Sequence, residues 1–160
     1  MIEIYKRNGD NMIIQTKYHG EIEIDQSHIL HFENGLPSFV EEKQYYIMPF
    51  SDDTPFLIMQ SIQTPSLAFV IVSPFDFFSD YSVKLSEQVI EMLHIQKEED
   101  VAIYVILTIQ EPLEKTTANL QGPIVINSRK KLGKQIILND SKYVTKHLIM
   151  SQKTSIGTEG

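Results

Sequence analysis

Residues 101–109, Val-Ala-Ile-Tyr-Val-Ile-Leu-Thr-Ile, are apolar at odd and even positions alike. Successive side chains of a strand point to opposite faces, so this run needs cover on both. Its β-branched and aromatic content favours strand over helix. The uninterrupted apolar part, 101–107, is far shorter than the roughly 18 residues that suggest a membrane-spanning helix. Leu-Ala-Phe-Val-Ile-Val at 67–72 has the same two-sided character. Both runs are expected as central strands in the middle of a core.

Around them the chain breaks into short β-type runs at 12–18, 20–25, 28–33, 44–50 and 56–62, with Pro, Gly, Asn or Asp between most of them. In 20–25, Ile22 and Ile24 share one face and the acids form a solvated other face. Beyond Glu111-Pro112 come shorter runs at 116–120, 123–127 and 134–138, the last two joined by a polar hairpin loop at 128–133. One helix interrupts the pattern. Leu85, Val89 and Leu93 repeat every four residues, Ser86 is a natural N-cap, and Glu87 suits the first turn, which predicts a helix over 86–93. At about two turns it needs tertiary packing to persist.

With 160 residues, 42% of them apolar, the chain supports one ordinary core. The expected architecture is mainly β: a single-domain, β-barrel-like fold with one short helix. The expected layout is an N-terminal extension or alternative start at 1–11, a β domain at 12–152 and a flexible tail at 153–160. The turn cluster Asn8-Gly9-Asp10-Asn11 and the small polar residues of the tail set those limits.

The absence of cysteine excludes disulfides, thiol nucleophiles and Cys-ligated metal, and fits a reducing compartment. Residues 1–15 lack an apolar signal-peptide core, so a cytoplasmic location is expected. A net charge of −7 disfavours direct contact with nucleic acid or an anionic membrane and favours a basic partner. No hydrolase, P-loop or dinucleotide motif is present. The five histidines are scattered, and His28 and His31, three apart on an expected strand, face opposite ways. The acid pairs Glu41-Glu42, Asp52-Asp53 and Glu98-Glu99-Asp100 read as hydrated carboxylates. Arg129, Lys130, Lys131 and Lys134 read as a solvated hairpin tip. No metal or cofactor is expected.

Residues 73–81, Ser-Pro-Phe-Asp-Phe-Phe-Ser-Asp-Tyr, place four aromatics and two acids between a central strand and the helix. Some of these rings must close the core. Rings left exposed beside charges have the composition of a protein-binding hot spot. Asp76, Phe77, Phe78 and Asp80 are the candidate partner-binding residues.

Several strings, in order and over most of the chain, carry a family resemblance. They are Thr16-Lys17-Tyr18-His19-Gly20, Phe32-Glu33-Asn34-Gly35-Leu36-Pro37-Ser38-Phe39, Leu67-Ala68-Phe69 followed by Pro74, Asp80-Tyr81, and above all Thr117-Ala118-Asn119-Leu120-Gln121-Gly122-Pro123-Ile124-Val125-Ile126-Asn127. In these the sequence resembles the bacterial flagellar assembly factor family FliW. The resemblance implies a non-enzymatic, β-barrel-like partner switch in the cytoplasm, chaperone-like towards flagellin. It would bind flagellin and also CsrA, a small RNA-binding translational repressor, and so relieve repression of flagellin synthesis. The alternative from another class is a small ligand- or cofactor-binding β-barrel enzyme. Two departures stand out: Ser38 where the family commonly has Gly, and Gly122 where a small residue such as Ala is usual. With Ser38 in place, a left-handed backbone is not expected to be a strict need there.

Overall fold

The computed structural model describes residues 10–140 and 142–150. Strands β1 (Asn11–Thr16) and β2 (Gly20–Asp25) form a separate hairpin, Ile14 opposite Ile22 and Met12 opposite Ile24. One larger sheet is built from β3 (Leu30–His31), β4 (Gln44–Pro49), β5 (Leu57–Ser61), β6 (Ala68–Val72), β7 (Val101–Thr108), β8 (Thr117–Ala118), β9 (Ile124–Asn127), β10 (Leu132–Gln135) and β11 (His147–Leu148). Seven of its strands close into a barrel in the order β7-β6-β5-β4-β3-β10-β9, with β9 returning to β7 through Val101–Asn127 and Tyr104–Ile124. Every pairing is antiparallel except β3 with β10, where Leu132 faces His31 and the His31 amide donates to the Lys131 carbonyl at 2.8 Å. β8 continues along β7 beyond β9, and β11 edges β8.

The two runs apolar on both faces are β6 and β7, paired through Ile71–Ile106 and Val72–Val105. Their alternation explains why both faces are greasy. Ile71 points into the barrel, where it packs with Phe32, Tyr45, Met59, Ile124 and Ile126. Val70, Val72, Val105 and Leu107 point outward and are covered by Phe78, Tyr81, Leu120, Tyr143 and Ile149. A barrel this narrow is filled by side chains rather than hollow. Gly133 shows how tightly: a Cβ there would lie 2.4 Å from the Phe32 ring.

The β1–β2 hairpin packs Ile14 and Ile24 against Ile29, Tyr46 and Ile62 on the outside of the barrel. Fully buried Gln60 ties it down, since its Oε1 accepts from the Lys17 amide at 3.0 Å while its Nε2 donates to the Ser61 carbonyl at 3.0 Å. Buried amides of this kind persist because both ends are satisfied.

The helix α1 (Glu87–Met92) forms where the spacing predicts it, and the Ser86 hydroxyl accepts from the Val89 amide at 3.2 Å. It stops at His94, whose φ is +53°, with the Ile95 amide donating to the Ile90 carbonyl and the His94 amide to the Glu91 carbonyl. That is a left-handed helix stop with histidine where glycine is usual.

Three expected strands are shorter than their apolar runs. The run at 28–33 keeps only β3, because the Asp25 carboxylate accepts from the Ser27 amide and starts a 3-10 turn at Gln26–His28. His28 is therefore not on a strand. The run at 116–120 keeps only β8, and the run at 134–138 begins earlier and ends at Gln135. β11 was not expected at all; its two-residue length leaves no period to read. Ser38 takes φ +71°, so the position adopts the left-handed backbone that glycine suits. That corrects the expectation drawn from the serine. Of the expected end segments, residues 1–9 and the tail 153–160 lie outside the described residues; β1 already begins at Asn11.

Candidate interaction surface

The segment between β6 and α1 turns sharply after Pro74, which opens a 3-10 turn over Pro74–Asp76 with its fixed φ. The Phe78 amide donates to the Pro74 carbonyl at 2.8 Å and the Tyr81 amide to the Phe78 carbonyl at 3.0 Å. Tyr81 then dives into the outer core, where its hydroxyl donates to the Leu120 carbonyl at 2.8 Å and its ring meets Tyr143 edge-on at 4.8 Å. Tyr143 in turn accepts from the Ser82 amide at 3.2 Å. Burial pushes the Tyr81 phenol well above its ordinary range, as does the neighbouring Tyr143. These anchors fix the segment on the barrel wall.

The four candidate residues divide. Asp76 and Asp80 are exposed, and Phe77 is half-buried against the outer core. Phe78 is only 7% exposed and packs within that core, so its ring closes the fold and offers no surface to a partner. The presented ring is Phe75, 48% exposed, which the sequence reading left out. Its position as the first residue after the turn-opening proline was the available signal: that turn throws its side chain outward while Phe78 returns to the core.

Beside Phe75 lies a groove of about 630 Å³ between this segment, α1 and the start of β7. Its apolar walls include Val83, Leu85, Ile90, Ile95 and Val101, with Lys84, Lys97 and Glu98 at the rim. Ile90 is 36% exposed, whereas Leu93 at the end of α1 is 4% exposed. Residues 75–103 hold seven acids against two lysines, so five of the chain's seven net negative charges fall in this stretch. Exposed acids on the segments that flank an exposed aromatic and an apolar groove suit a basic protein partner better than a nucleic acid.

The other groups singled out in the sequence lie elsewhere. Glu42 accepts from the Ser61 hydroxyl at 2.6 Å and from the Thr64 hydroxyl, holding the loop after β5. Glu98, Glu99 and Asp100 form an exposed turn before β7. Arg129, Lys130 and Lys131 occupy the β9–β10 turn. Among the described residues no three His, Cys, Asp or Glu side chains gather to hold a metal ion, and no helix is long and apolar enough to cross a membrane.

Gly35 and Asn127, within the resemblance strings, are structural. Gly35 has φ +62°, and a Cβ on it would meet the Phe39 carbonyl oxygen at 2.6 Å. Asn127 is buried and spends its amide on the Leu93 and His94 carbonyls and its oxygen on the Arg129 and Lys130 amides.

Residues 13–149 match the family described as FliW protein. The flagellar assembly factor FliW of Geobacillus kaustophilus (strain HTA426) is 52% identical over 144 residues, covering 90% of this chain and 99% of that protein. The flagellar assembly factor FliW of Bacillus subtilis (strain 168) is 49% identical over 138 residues, covering 86% and 96%. A crystal structure of the flagellar assembly factor FliW superposes with a TM-score of 0.82 at 51% identity, covering 86% of this chain and 96% of that one.

Proposed function

The chain belongs to the FliW family of flagellar assembly factors, and from that premise we propose that it acts by binding proteins rather than by catalysis. In this reading it binds newly made flagellin in the cytoplasm and, alternately, the translational repressor CsrA. Binding CsrA relieves repression of flagellin synthesis, and accumulating flagellin releases CsrA to repress again. The observation that carries the reading is the acidic stretch 75–103 around Phe75. An RNA-binding repressor tends to present basic surface, which such a face attracts while it repels RNA phosphates.

Electrostatic attraction of this kind acts over a Debye length of about 8 Å at physiological salt and shows most in the association rate. The test is the on-rate of CsrA onto wild type and onto the double variant Asp76→Lys, Asp80→Lys at low and moderate salt. The expected result is slower association for the variant, with the gap closing as salt rises. Equal on-rates at low salt would remove this face from the CsrA contact. The switch itself is tested by titrating flagellin into a preformed CsrA complex. If flagellin lowers affinity for CsrA, CsrA lowers affinity for flagellin by the same factor. Co-elution of all three proteins with unchanged affinities would overturn the switch.

A further inference from the structure

One mouth of the barrel is left open. A cleft of about 210 Å³ there is floored by Leu30, Ile47, Ala102 and Ile126, side chains of the interior cluster or packed against it. Around it stand His28, Tyr46, Tyr104, Ser128 and Lys131, drawn from four separate parts of the chain. None of these five side chains makes a hydrogen bond among the described residues, and no carboxylate lines the cleft. In a chain of net charge −7, this concave site is lined by one lysine, Lys131, and by no carboxylate. β7 separates this site from the groove beside Phe75: Val101 and Ile103 line that groove, whereas Ala102 and Tyr104 line the mouth.

The rim is held in place. Lys131 has φ +60°, its amide donates to the Asn127 carbonyl at 2.8 Å, and its carbonyl accepts from the His31 amide. Burial raises the Tyr104 phenol above its ordinary value, keeping it a protonated donor. Ala102, the smallest floor residue, leaves the space. At about 210 Å³ the space is many times the ~10–15 Å³ that a single water needs, room for one ring or a short alkyl chain with its acid group. Barrel mouths are common places for such ligands.

We propose that this mouth binds a small amphipathic anion, a carboxylate on an aromatic or short aliphatic body, with Lys131 pairing the carboxylate, the tyrosine hydroxyls donating to it, and the apolar floor taking the body. The site goes beyond protein binding and does not depend on the partner-switch reading.

The experiment is an amide NMR titration of the full chain with phenylacetate and, in parallel, with neutral phenylacetamide. Saturable shifts at residues 46–47, 102–104 and 126–131 are expected with phenylacetate, and binding at least about tenfold weaker with the amide. Lys131→Met should weaken phenylacetate by a similar factor. Ala102→Leu, which fills the floor, should abolish binding while the melting temperature stays within about 3 °C of wild type. Equal affinity for acid and amide would overturn the proposal, as would shifts confined to other residues or no saturation below about 10 mM phenylacetate.

Discussion

The side-chain amide of Asn127 donates to the Leu93 carbonyl across 2.7 Å, joining the end of α1 to the turn that follows β9. One buried side chain thereby satisfies four backbone groups, two of them on residues 33 and 34 positions earlier in the sequence. A six-residue helix has little stability of its own, so this clamp and its apolar packing hold it. Asn127→Ala should cost about 2–4 kcal/mol in urea unfolding, because it strands the carbonyl of buried Leu93 and loosens the turn. Hydrogen exchange at residues 90–95 should speed up more than in the strands. A loss below about 1 kcal/mol would mean that water replaces the amide at little cost.

Ser38 pays for a backbone that glycine adopts freely. At φ +71° its Cβ crowds the following carbonyl, a strain of about 1–2 kcal/mol, partly offset by the extra freedom glycine brings to the unfolded chain. Ser38→Gly should therefore raise stability by about 0.5–1 kcal/mol, read as a rise of a few degrees in melting temperature. The opposite change three residues earlier should be severe. Gly35→Ala combines a left-handed φ of +62° with a contact of 2.6 Å to the Phe39 backbone, which has no side-chain rotamer to move. Its expected cost exceeds about 2 kcal/mol. Equal melting temperatures for Ser38→Gly and wild type would show that the turn relaxes around the serine.

What the sequence makes legible here follows the strength of local signals. β2 and α1 are readable to within a residue, because alternation in 20–25 and the cap at Ser86 are local and unopposed. The two-sided runs at β6 and β7 announce a covered wall, although not that one side is a barrel lumen and the other a lid of aromatic and C-terminal residues. β3, β8 and β11 are two residues each and owe their pairing to distant partners, so no period marks them. In the candidate surface the acids are legible as exposed, whereas four rings in nine residues cannot be sorted by composition. The sorting comes from Pro74, which sends Phe75 out and Phe78 in, and from Leu120 and Tyr143, which claim Tyr81.

Tyr45 is fully buried in the barrel, with its ring edge-on to Phe32 at 5.3 Å, and its hydroxyl has no hydrogen-bond partner among the described residues. Burial, aided by the negative Glu42, pushes its phenol up to about 12. The folded value lies above the unfolded one, so the neutral ring's contribution is complete below about pH 10 and is lost as pH rises towards 12. Tyr45→Phe removes an unsatisfied polar atom and should be neutral to stabilising by up to about 1 kcal/mol at pH 7. It should also flatten the fall in stability between pH 10 and 12. Urea midpoints of both proteins across that range are the measurement; a variant markedly less stable at pH 7 would reveal a partner, such as a buried water, for the hydroxyl.

His147 sets the acid limit of the C-terminal segment. It pairs with Ala118 in the β11–β8 ladder, its ring lies 6.1 Å from Phe78, and its Nε2 accepts from the Val144 amide at 2.9 Å. Accepting at Nε2 places the ring proton on Nδ1. Desolvation by burial lowers its pKa from the ordinary 6.5, and protonation would turn the acceptor into a donor facing another donor. The neutral ring is thus favoured by folding. Its contribution is complete above about pH 6.5 and is lost as pH falls through the lowered folded value. Because Phe78, Tyr143 and Ile149 share the same outer cluster, the expected first event on acidification is faster hydrogen exchange over 143–149, ahead of the barrel strands. His147→Gln keeps an acceptor at similar reach and cannot be protonated, so it should hold exchange in that segment constant from pH 7 to 5 while carboxylate effects elsewhere persist. Identical acid profiles for variant and wild type over 143–149 would assign the acid sensitivity to other groups.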